Sequence, residues 1–183
     1  MENYEFIAEG NKLRLRFMQE SDFPLVVKWR NNKRVRNNYI YREEFTLEGQ
    51  KIWQETMIDT GKVIQLMICE KENSDRPVGC VYLRDIDRDK ASAEYGIFIG
   101  EDDAIGKGYG NEAALLMTDY AHKSQGLKEL ILRVFVSNTS AIKSYENAGF
   151  VKTEFMPSVE CSDGYKGDMI LMKKSYTRED ENG

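Results

Sequence analysis

Three strand-like runs in close succession constrain the fold of this chain more than any other feature of its sequence. The runs are residues 63–70, 77–86 and 91–99. Turn-forming residues separate them, so an antiparallel meander is the simplest prediction. A glycine-rich turn, a helix and a further strand follow over residues 106–136. This change of pattern predicts a strand-helix-strand unit in the second half of the chain.

Helical and strand-like patterns also flank this region. Residues 13–17 alternate apolar and polar, which predicts a strand, and helical spacing follows over residues 21–31 and 46–59. Past the central region, the pattern predicts a helix over residues 140–147 and a hairpin over residues 151–160 and 165–173. The resulting order predicts an α/β (α+β) domain on a mixed central sheet. We expect one domain over residues 1–176 and a polar, acidic, disordered tail over residues 177–183.

Composition excludes several classes of protein. A formal net charge of -5 over 183 residues argues against binding a nucleic-acid backbone. The chain starts without a secretory signal and has no run of about eighteen apolar residues, so we expect a cytoplasmic protein without a membrane partner. One histidine and three cysteines without CxxC spacing predict no metal site. The small basic run Lys33-Arg34-Val35-Arg36 is interpreted as a solvated helix end.

The segment Gly106-Lys107-Gly108-Tyr109-Gly110 is the first candidate for chemistry. It lies between a strand and a long helix, where backbone N–H groups and the helix dipole favour an anion such as a phosphate. The structural alternative is a turn that only provides unusual backbone angles. The segment completes neither a Walker loop nor a dinucleotide fingerprint. A diphosphate bound at a helix start in a mixed sheet is the interpretation that is left.

Several segments together resemble the GNAT superfamily of N-acetyltransferases, in particular its ribosomal-protein N-terminal, spermidine and aminosugar acetyltransferases. The resemblance covers nearly the whole chain. Its carriers are Leu13-Arg14-Leu15-Arg16, Trp29-Arg30-Asn31-Asn32, residues 93–99 (AEYGIFI), the glycine-rich segment with Asn111-Glu112-Ala113, and residues 138–150 (NTSAIKSYENAGF). The resemblance implies a mainly antiparallel mixed sheet of about seven strands with about four helices packed on it. It also implies acetyl-CoA as the co-substrate.

The resemblance assigns a coenzyme site as well. The backbone of Ile97, Phe98 and Ile99 would pair with the pantetheine arm, and Asn138 would hydrogen-bond the arm from the other side. The remaining coenzyme-binding positions are Ile105, Gly106, Lys107, Gly108, Tyr109, Gly110, Asn111 and Ser144. The family has Arg or Gln where this chain has Ile105. That difference removes one contact to the pyrophosphate, so we expect weaker coenzyme binding rather than none.

The chemistry of acyl transfer points to two further residues. An aliphatic amine has a pKa of about 10, so its attack on a thioester requires the removal of a proton. Glu94 is the candidate base; a water chain, or a plain ion-pairing role for Glu94, is the alternative. Tyr145 is the candidate acid for the departing thiolate. It follows Asn138 by two helical turns, and the resemblance favours this role over core packing.

The acceptor is less well defined by the sequence. The resemblance places its site on the first two helices and the terminal hairpin, where the candidates are Trp29, Arg30, Asn31, Tyr39 and Tyr41. Acidic and aromatic residues there favour a polyamine or a protein N-terminus, whereas the arginines favour a nucleotide-linked aminosugar, so all three stay open. A homodimer is compatible with the resemblance. The alternative to an enzyme is a noncatalytic CoA-binding or protein-interaction domain of the same fold, or, less favoured, a nucleotide-binding module.

Overall fold

One eight-stranded sheet organises residues 5–177, the part of the chain that the computed structural model describes. The strands are β1 (Phe6–Glu9), β2 (Leu13–Phe17), β3 (Ile64–Glu70), β4 (Arg76–Asp87), β5 (Ser92–Ile99), β6 (Glu129–Phe135), β7 (Val151–Glu160) and β8 (Lys166–Ser175). Their order across the sheet is β1-β2-β3-β4-β5-β6-β8-β7. Only β5 and β6 are parallel neighbours within the described residues. The predicted mixed, mainly antiparallel sheet is therefore confirmed.

The described residues contain five α-helices. They are α1 (Phe23–Asn31), α2 (Lys33–Arg36), α3 (Leu47–Trp53), α4 (Tyr109–Lys123) and α5 (Thr139–Asn147). Local chemistry fixes their starts. Pro24 occupies the first turn of α1, and the Thr46 side chain accepts a hydrogen bond from the Gly49 N–H to begin α3 at 3.0 Å. The Asn138 side chain accepts from the Ala141 N–H at 3.3 Å and caps α5.

The helices cover both faces of the sheet. On one face, Ala113 of α4 and Tyr145 of α5 pack against β5 residues that include Tyr95. On the other face, Trp29 of α1 packs against Phe98 of the same strand. Because side chains alternate along a strand, successive β5 residues face opposite helix layers. β5 therefore carries groups to both layers at the centre of the molecule.

β5 and β6 are paired along only part of their length. Parallel pairing covers residues 92–94 of β5 and 129–131 of β6, although β5 continues to Ile99 and β6 to Phe135. Each strand stays paired with its other neighbour, β5 with β4 and β6 with β8, over these remaining residues. The two strands therefore part after Glu94. We call the resulting opening in the sheet the β5–β6 cleft.

Two elements differ from the predictions. β1 is an eighth strand that the sequence did not indicate, because four residues are too short for a clear alternation. The basic run of residues 33–36 forms a separate helix, α2, because the Asn32 side chain accepts from the Arg34 N–H at 2.9 Å and starts a new turn.

The predicted tail spans residues 177–183, of which residues 178–183 lie outside the described residues, and the single-domain boundary stays a prediction. None of the helices in residues 5–177 is long and apolar enough to cross a membrane.

Candidate active site

The β5 backbone presents two carbonyl groups to the β5–β6 cleft. The Gly100 N–H donates to the Val78 carbonyl at 2.7 Å, so even-numbered residues of β5 bond to β4 and odd-numbered residues turn toward the cleft. The Tyr39 hydroxyl donates to the Ile97 carbonyl at 3.2 Å. The Arg34 guanidinium donates to the Ile99 carbonyl at 2.9 Å. The Ile97 and Ile99 carbonyls, which were predicted to pair with the pantetheine arm, are thus bonded to side chains from the segment after α1.

The structure corrects the part of that prediction that concerned Phe98. Phe98 is paired with Cys80 of β4, so its backbone groups point away from the cleft. Its ring lies in the α1 layer, edge-on to Trp29 and Tyr39 with centroids 6.3 Å apart in both cases. Phe98 therefore belongs to the α1 layer and supports Tyr39.

The glycine-rich loop forms a cradle of backbone N–H groups at the start of α4. Gly106 and Gly108 have φ angles of +77° and +82°, which favour glycine. A Cβ atom at either position would meet nothing within 4 Å, so the loop faces open space. The first hydrogen bond of α4 runs from the Glu112 N–H to the Gly108 carbonyl. The N–H groups of residues 109–111 lie before it and have no acceptor among the described residues. These donors and the helix dipole fit a pyrophosphate.

Unpaired polar atoms border the cradle and the cleft. Within the described residues, Asn111 Oδ1, Ser144 Oγ and Tyr95 Oη are buried and have no hydrogen-bond partner. Ser144 Oγ lies 3.8 Å from the Cβ position of Gly110, beside the loop. Buried polar atoms are normally paired, so unpaired ones mark places where a ligand can supply the partner. The Ile105 side chain, by contrast, is 49% exposed.

Glu70, the last residue of β3, holds the two long side chains of the loop. It is 5% exposed. Its Oε1 accepts hydrogen bonds from the Tyr109 hydroxyl at 2.6 Å and from the Lys107 ammonium at 2.9 Å, and its Oε2 accepts from Arg76 at 3.1 Å. The Tyr109 bond, with help from the Lys107 bond, lowers the pKa of Glu70 to about 2. Lys107 and Tyr109 were predicted as coenzyme ligands, and in the structure both side chains donate hydrogen bonds to Glu70.

Tyr145 lies next to the point where β5 and β6 part. Its ring centroid is 5.9 Å from that of Tyr95, which directly follows the last paired residue of β5. The Tyr145 hydroxyl makes no hydrogen bond to any described residue. Burial, and secondarily the Tyr82 hydroxyl, raise the pKa of Tyr145 well above its ordinary value. The phenol therefore stays protonated at neutral pH, as a proton donor must.

Glu94 is the last residue of β5 that pairs with β6, and it forms an ion pair. Arg133 Nη2 donates to Glu94 Oε1 at 3.0 Å and to Oε2 at 3.1 Å. A carboxylate oxygen has two lone pairs, so Oε2 keeps one that can take a proton. The ion-pairing alternative raised for Glu94 is thus present in the structure, at the mouth of the cleft.

Residues 37–42, which we call the strap, cross the cleft from α2 to the β7–β8 turn. Asn138 Nδ2 donates to Asn38 Oδ1 at 3.0 Å, so the strap is bonded to the start of α5 as well as to β5 through Tyr39. At its far end, the Arg42 N–H donates to Ser162 Oγ at 2.8 Å. The strap therefore bonds both groups, Ile97 and Asn138, that were predicted to hold the pantetheine arm.

Arg30, on α1, is a buried cation that stacks on the rings of the α1 layer. It is 8% exposed, and its Cζ lies 3.6 Å from the Tyr39 ring centroid and 4.5 Å from that of Phe45. The other buried arginines pair with acids, Arg16 with Asp22 and Arg42 with Asp163, but Arg30 has no such pair in residues 5–177. Its Nε is buried without a hydrogen-bond partner there. Stacking on rings stabilises the cation but leaves the buried Nε–H without an acceptor.

The remaining predicted acceptor residues have other positions. Trp29 is a correction: its indole is 1% exposed in the α1 core and donates to Glu101 at 2.7 Å, so it is structural. Asn31 exchanges two hydrogen bonds of 2.8 Å with the Phe45 backbone and so fixes Phe45 over Arg30. Tyr41 is exposed and lies edge-on to Phe45.

Two important residues had no sequence signal strong enough to find them. Glu70 and its partners Lys107 and Tyr109 are far apart in sequence, and the only hint was an acid at the end of an apolar run. Arg34 belongs to the run interpreted as a solvated helix end. That interpretation is wrong for Arg34, which bonds to Asp102 at 2.7 Å and to two backbone carbonyls at the end of β5.

A family model supports the class of protein that the cleft and cradle suggest, an acyl-CoA-dependent acetyltransferase. The model described as an acetyltransferase (GNAT) domain matches residues 12–151, which is most of the chain. This protein therefore belongs to the GNAT acetyltransferase domain family. The predicted resemblance, and with it the enzyme class, is confirmed.

Relatives and solved structures agree with this family. An uncharacterised protein of Methanocaldococcus jannaschii is 29% identical over 83% of this chain, which spans only 31% of that relative. An N-acetyltransferase of Bacillus licheniformis is 27% identical over 90% of this chain and 95% of its own length. The crystal structure of a spermidine N-acetyltransferase from Vibrio cholerae, in complex with CoA and spermine, covers 91% of this chain and 96% of its own, with a TM-score of 0.82 and 22% identity. At 22% identity, the likeness to this crystal structure supports the fold alone.

Proposed function

We propose that this protein transfers the acetyl group of acetyl-CoA to a primary amine by direct attack in a ternary complex. The observation that carries the proposal is the β5–β6 cleft, which has an anion cradle at the start of α4 and Tyr145 beside the point where the strands part. Family membership supports the same reaction.

The coenzyme lies along the cleft in this proposal. Residues 106–111 bind its pyrophosphate through backbone N–H groups, and Ser144 Oγ supplies a further contact at the same end. The Ile97 and Ile99 carbonyls accept hydrogen bonds from the pantetheine amides, and Asn138 bonds the arm from the opposite side. Because Tyr39 and Asn38 of the strap and Arg34 of α2 hold these groups in the structure, coenzyme binding requires the strap and the Arg34 side chain to shift.

The reaction forms one C–N bond and breaks one C–S bond. As the C–S bond breaks, the sulfur keeps the electron pair and takes the phenolic proton of Tyr145. Before the attack, the ammonium loses one proton to Glu94, through the free lone pair of Oε2, or to a water chain that leads from the cleft, and this proton passes to solvent. After the attack, the nitrogen loses a second proton by the same route, and this second proton returns to Tyr145. The net change is one proton transferred from nitrogen to sulfur and one proton released to solvent.

Among the three acceptor classes, the charges near the cleft favour an amine that also carries an acidic group, such as a nucleotide-linked aminosugar. Arg30 offers a buried, unsatisfied Nε donor beside the cleft. Of the acids that favoured a polyamine, the two on the hairpin are ion-paired, Asp163 with Arg42 and Glu160 with Lys166, whereas Glu43 and Glu44 form no ion pair within the described residues. A polycation would place positive charge near a buried guanidinium that has no counter-ion in the described residues.

The test is acetyl-CoA-dependent thiol release by the purified protein. The acceptor panel holds spermidine, short peptides with free N-termini and nucleotide-linked aminosugars, and CoA binding is measured by calorimetry on the same sample. We expect release with the aminosugar nucleotide, and little release with spermidine. A preference for spermidine would refute the acceptor assignment. Tight CoA binding with no release for any amine would instead favour the noncatalytic alternative.

A further inference from the structure

Glu70 connects β3 to the glycine-rich loop by bonds on both sides of Gly108. Its Oε1 accepts from Lys107, the residue before Gly108, and from Tyr109, the residue after it. Gly108 has the left-handed φ of +82° that turns the chain into α4. Because both neighbours of the turn are fixed to one carboxylate, the direction of the loop N–H groups depends on Glu70.

Glu70 is itself held in place. Arg76 donates to its Oε2 through Nε at 3.2 Å and Nη2 at 3.1 Å, and Asn73 donates to the same oxygen at 3.4 Å. Arg76 is also paired with Asp103, which precedes the loop, at 3.0 Å. The carboxylate is thus bonded on every side, so its position is set by the fold and not by solvent.

We propose that Glu70 is a positioning residue for the pyrophosphate of the coenzyme, acting through Lys107 and Tyr109. The inference rests on the proposed function, because it assumes that the cradle binds the coenzyme. In this proposal the side chains of Lys107 and Tyr109 hold the loop in shape by bonding to Glu70. The backbone N–H groups of the loop are the donors to the ligand.

The substitution Glu70→Gln distinguishes an effect of charge from an effect of loop position, because the two predict opposite changes in CoA affinity. Glu70→Gln keeps the shape of the side chain and removes a negative charge near the cradle. If charge alone mattered, CoA would bind more tightly, because its phosphates would be repelled less. If Glu70 positions the loop, CoA binds more weakly, because the charge-assisted bonds to Lys107 and Tyr109 are lost and the loop can turn away.

The experiment measures CoA and pantetheine binding to wild type and Glu70→Gln by calorimetry, with pantetheine affinity obtained by competition against CoA. Pantetheine lacks the pyrophosphate. We expect the Kd for CoA to rise about tenfold, as for the loss of a charge-assisted hydrogen bond, while the Kd for pantetheine stays within about twofold. A general packing defect would weaken both ligands equally and would overturn the proposal, as would tighter CoA binding.

Two further variants keep the test decisive. Glu72→Gln removes an equal charge from an exposed residue nearby, and CoA affinity should be unchanged or slightly higher. Tyr109→Phe removes only the hydroxyl that donates to Glu70, so it serves if Glu70→Gln does not fold. It should weaken CoA about threefold and leave pantetheine unchanged, and equal CoA affinity in Tyr109→Phe would contradict the proposal. Wild type that bound neither ligand would contradict the proposed function itself.

Discussion

The two sides of the β5–β6 cleft, proposed here as the coenzyme side and the acceptor side, are built from different chemical groups. The coenzyme side offers backbone N–H groups from one continuous segment, residues 106–111. The acceptor side is made of side chains that come together from distant parts of the chain, such as Arg30, Tyr39 and Phe98. A site made of backbone groups depends less on a neighbouring side chain such as Ile105 than a site made of side chains depends on its members. Tyr145 lies between the two sides, and we propose that it takes part in the reaction.

The largest effect should come from the residue between the two sides. Tyr145→Phe removes the proposed proton donor, so kcat should fall at least about tenfold with little change in the Kd for CoA. Steady-state kinetics and calorimetry on the same preparation check this. Tyr120→Phe is the control, because it also removes one phenolic hydroxyl, which accepts from Gln125 at 2.9 Å and has no part in the proposed reaction. Equal turnover in Tyr145→Phe and wild type would remove Tyr145 from the mechanism.

The next effect should be confined to the coenzyme side. Gly108→Val requires a branched side chain at a φ of +82° and fills the space in front of the N–H cradle, so the Kd for CoA should rise about tenfold or more. Gly126→Val is the control, since Gly126 also has a positive φ, +69°, with nothing within 4 Å of its Cβ position. Both variants should lose thermal stability, but only the first should lose CoA affinity. Normal affinity in Gly108→Val would mean that the loop does not hold the pyrophosphate.

A smaller effect should be confined to the acceptor side. Arg30→Gln removes the unpaired guanidinium, so the KM for an acceptor with an acidic group should rise about fivefold while the KM for acetyl-CoA stays the same. Arg88→Gln, which changes the charge of a surface residue bonded to Gln125, controls for net charge. A parallel rise in both KM values would show that the two sides are not separate, and an unchanged acceptor KM would remove Arg30 from the acceptor site.

The smallest effect concerns acid stability at the base of the loop. The hydrogen bond from Tyr109 is the largest cause that lowers the pKa of Glu70 from its ordinary value of 4.5 to about 2. The stability that this carboxylate contributes is therefore complete above about pH 4.5 and is lost as the pH falls toward 2. The difference in melting temperature between wild type and Glu70→Gln should shrink over that interval. A difference that stayed constant would show that the charge of Glu70 contributes nothing to stability.

The same contrast explains what the sequence could predict. Seven of the eight strands in the described residues, most helices and the glycine-rich turn before α4 follow from local periodicity and from residues that are neighbours in sequence, and these were predicted correctly. Glu70, Arg34 and the strap act through contacts between residues far apart in the chain, for which periodicity carries no information. Trp29 was misassigned for the same reason, because an aromatic on an amphipathic helix has the same pattern whether it faces a ligand or the core.

The central claim is that the coenzyme occupies the β5–β6 cleft with its pyrophosphate at the start of α4. A crystal structure of the protein with CoA tests it most directly. We predict pyrophosphate oxygens within hydrogen-bond distance of the N–H groups of residues 106–111, and the Tyr39 and Asn38 side chains released from Ile97 and Asn138. CoA bound elsewhere, or bound with both strap contacts intact, would contradict the account.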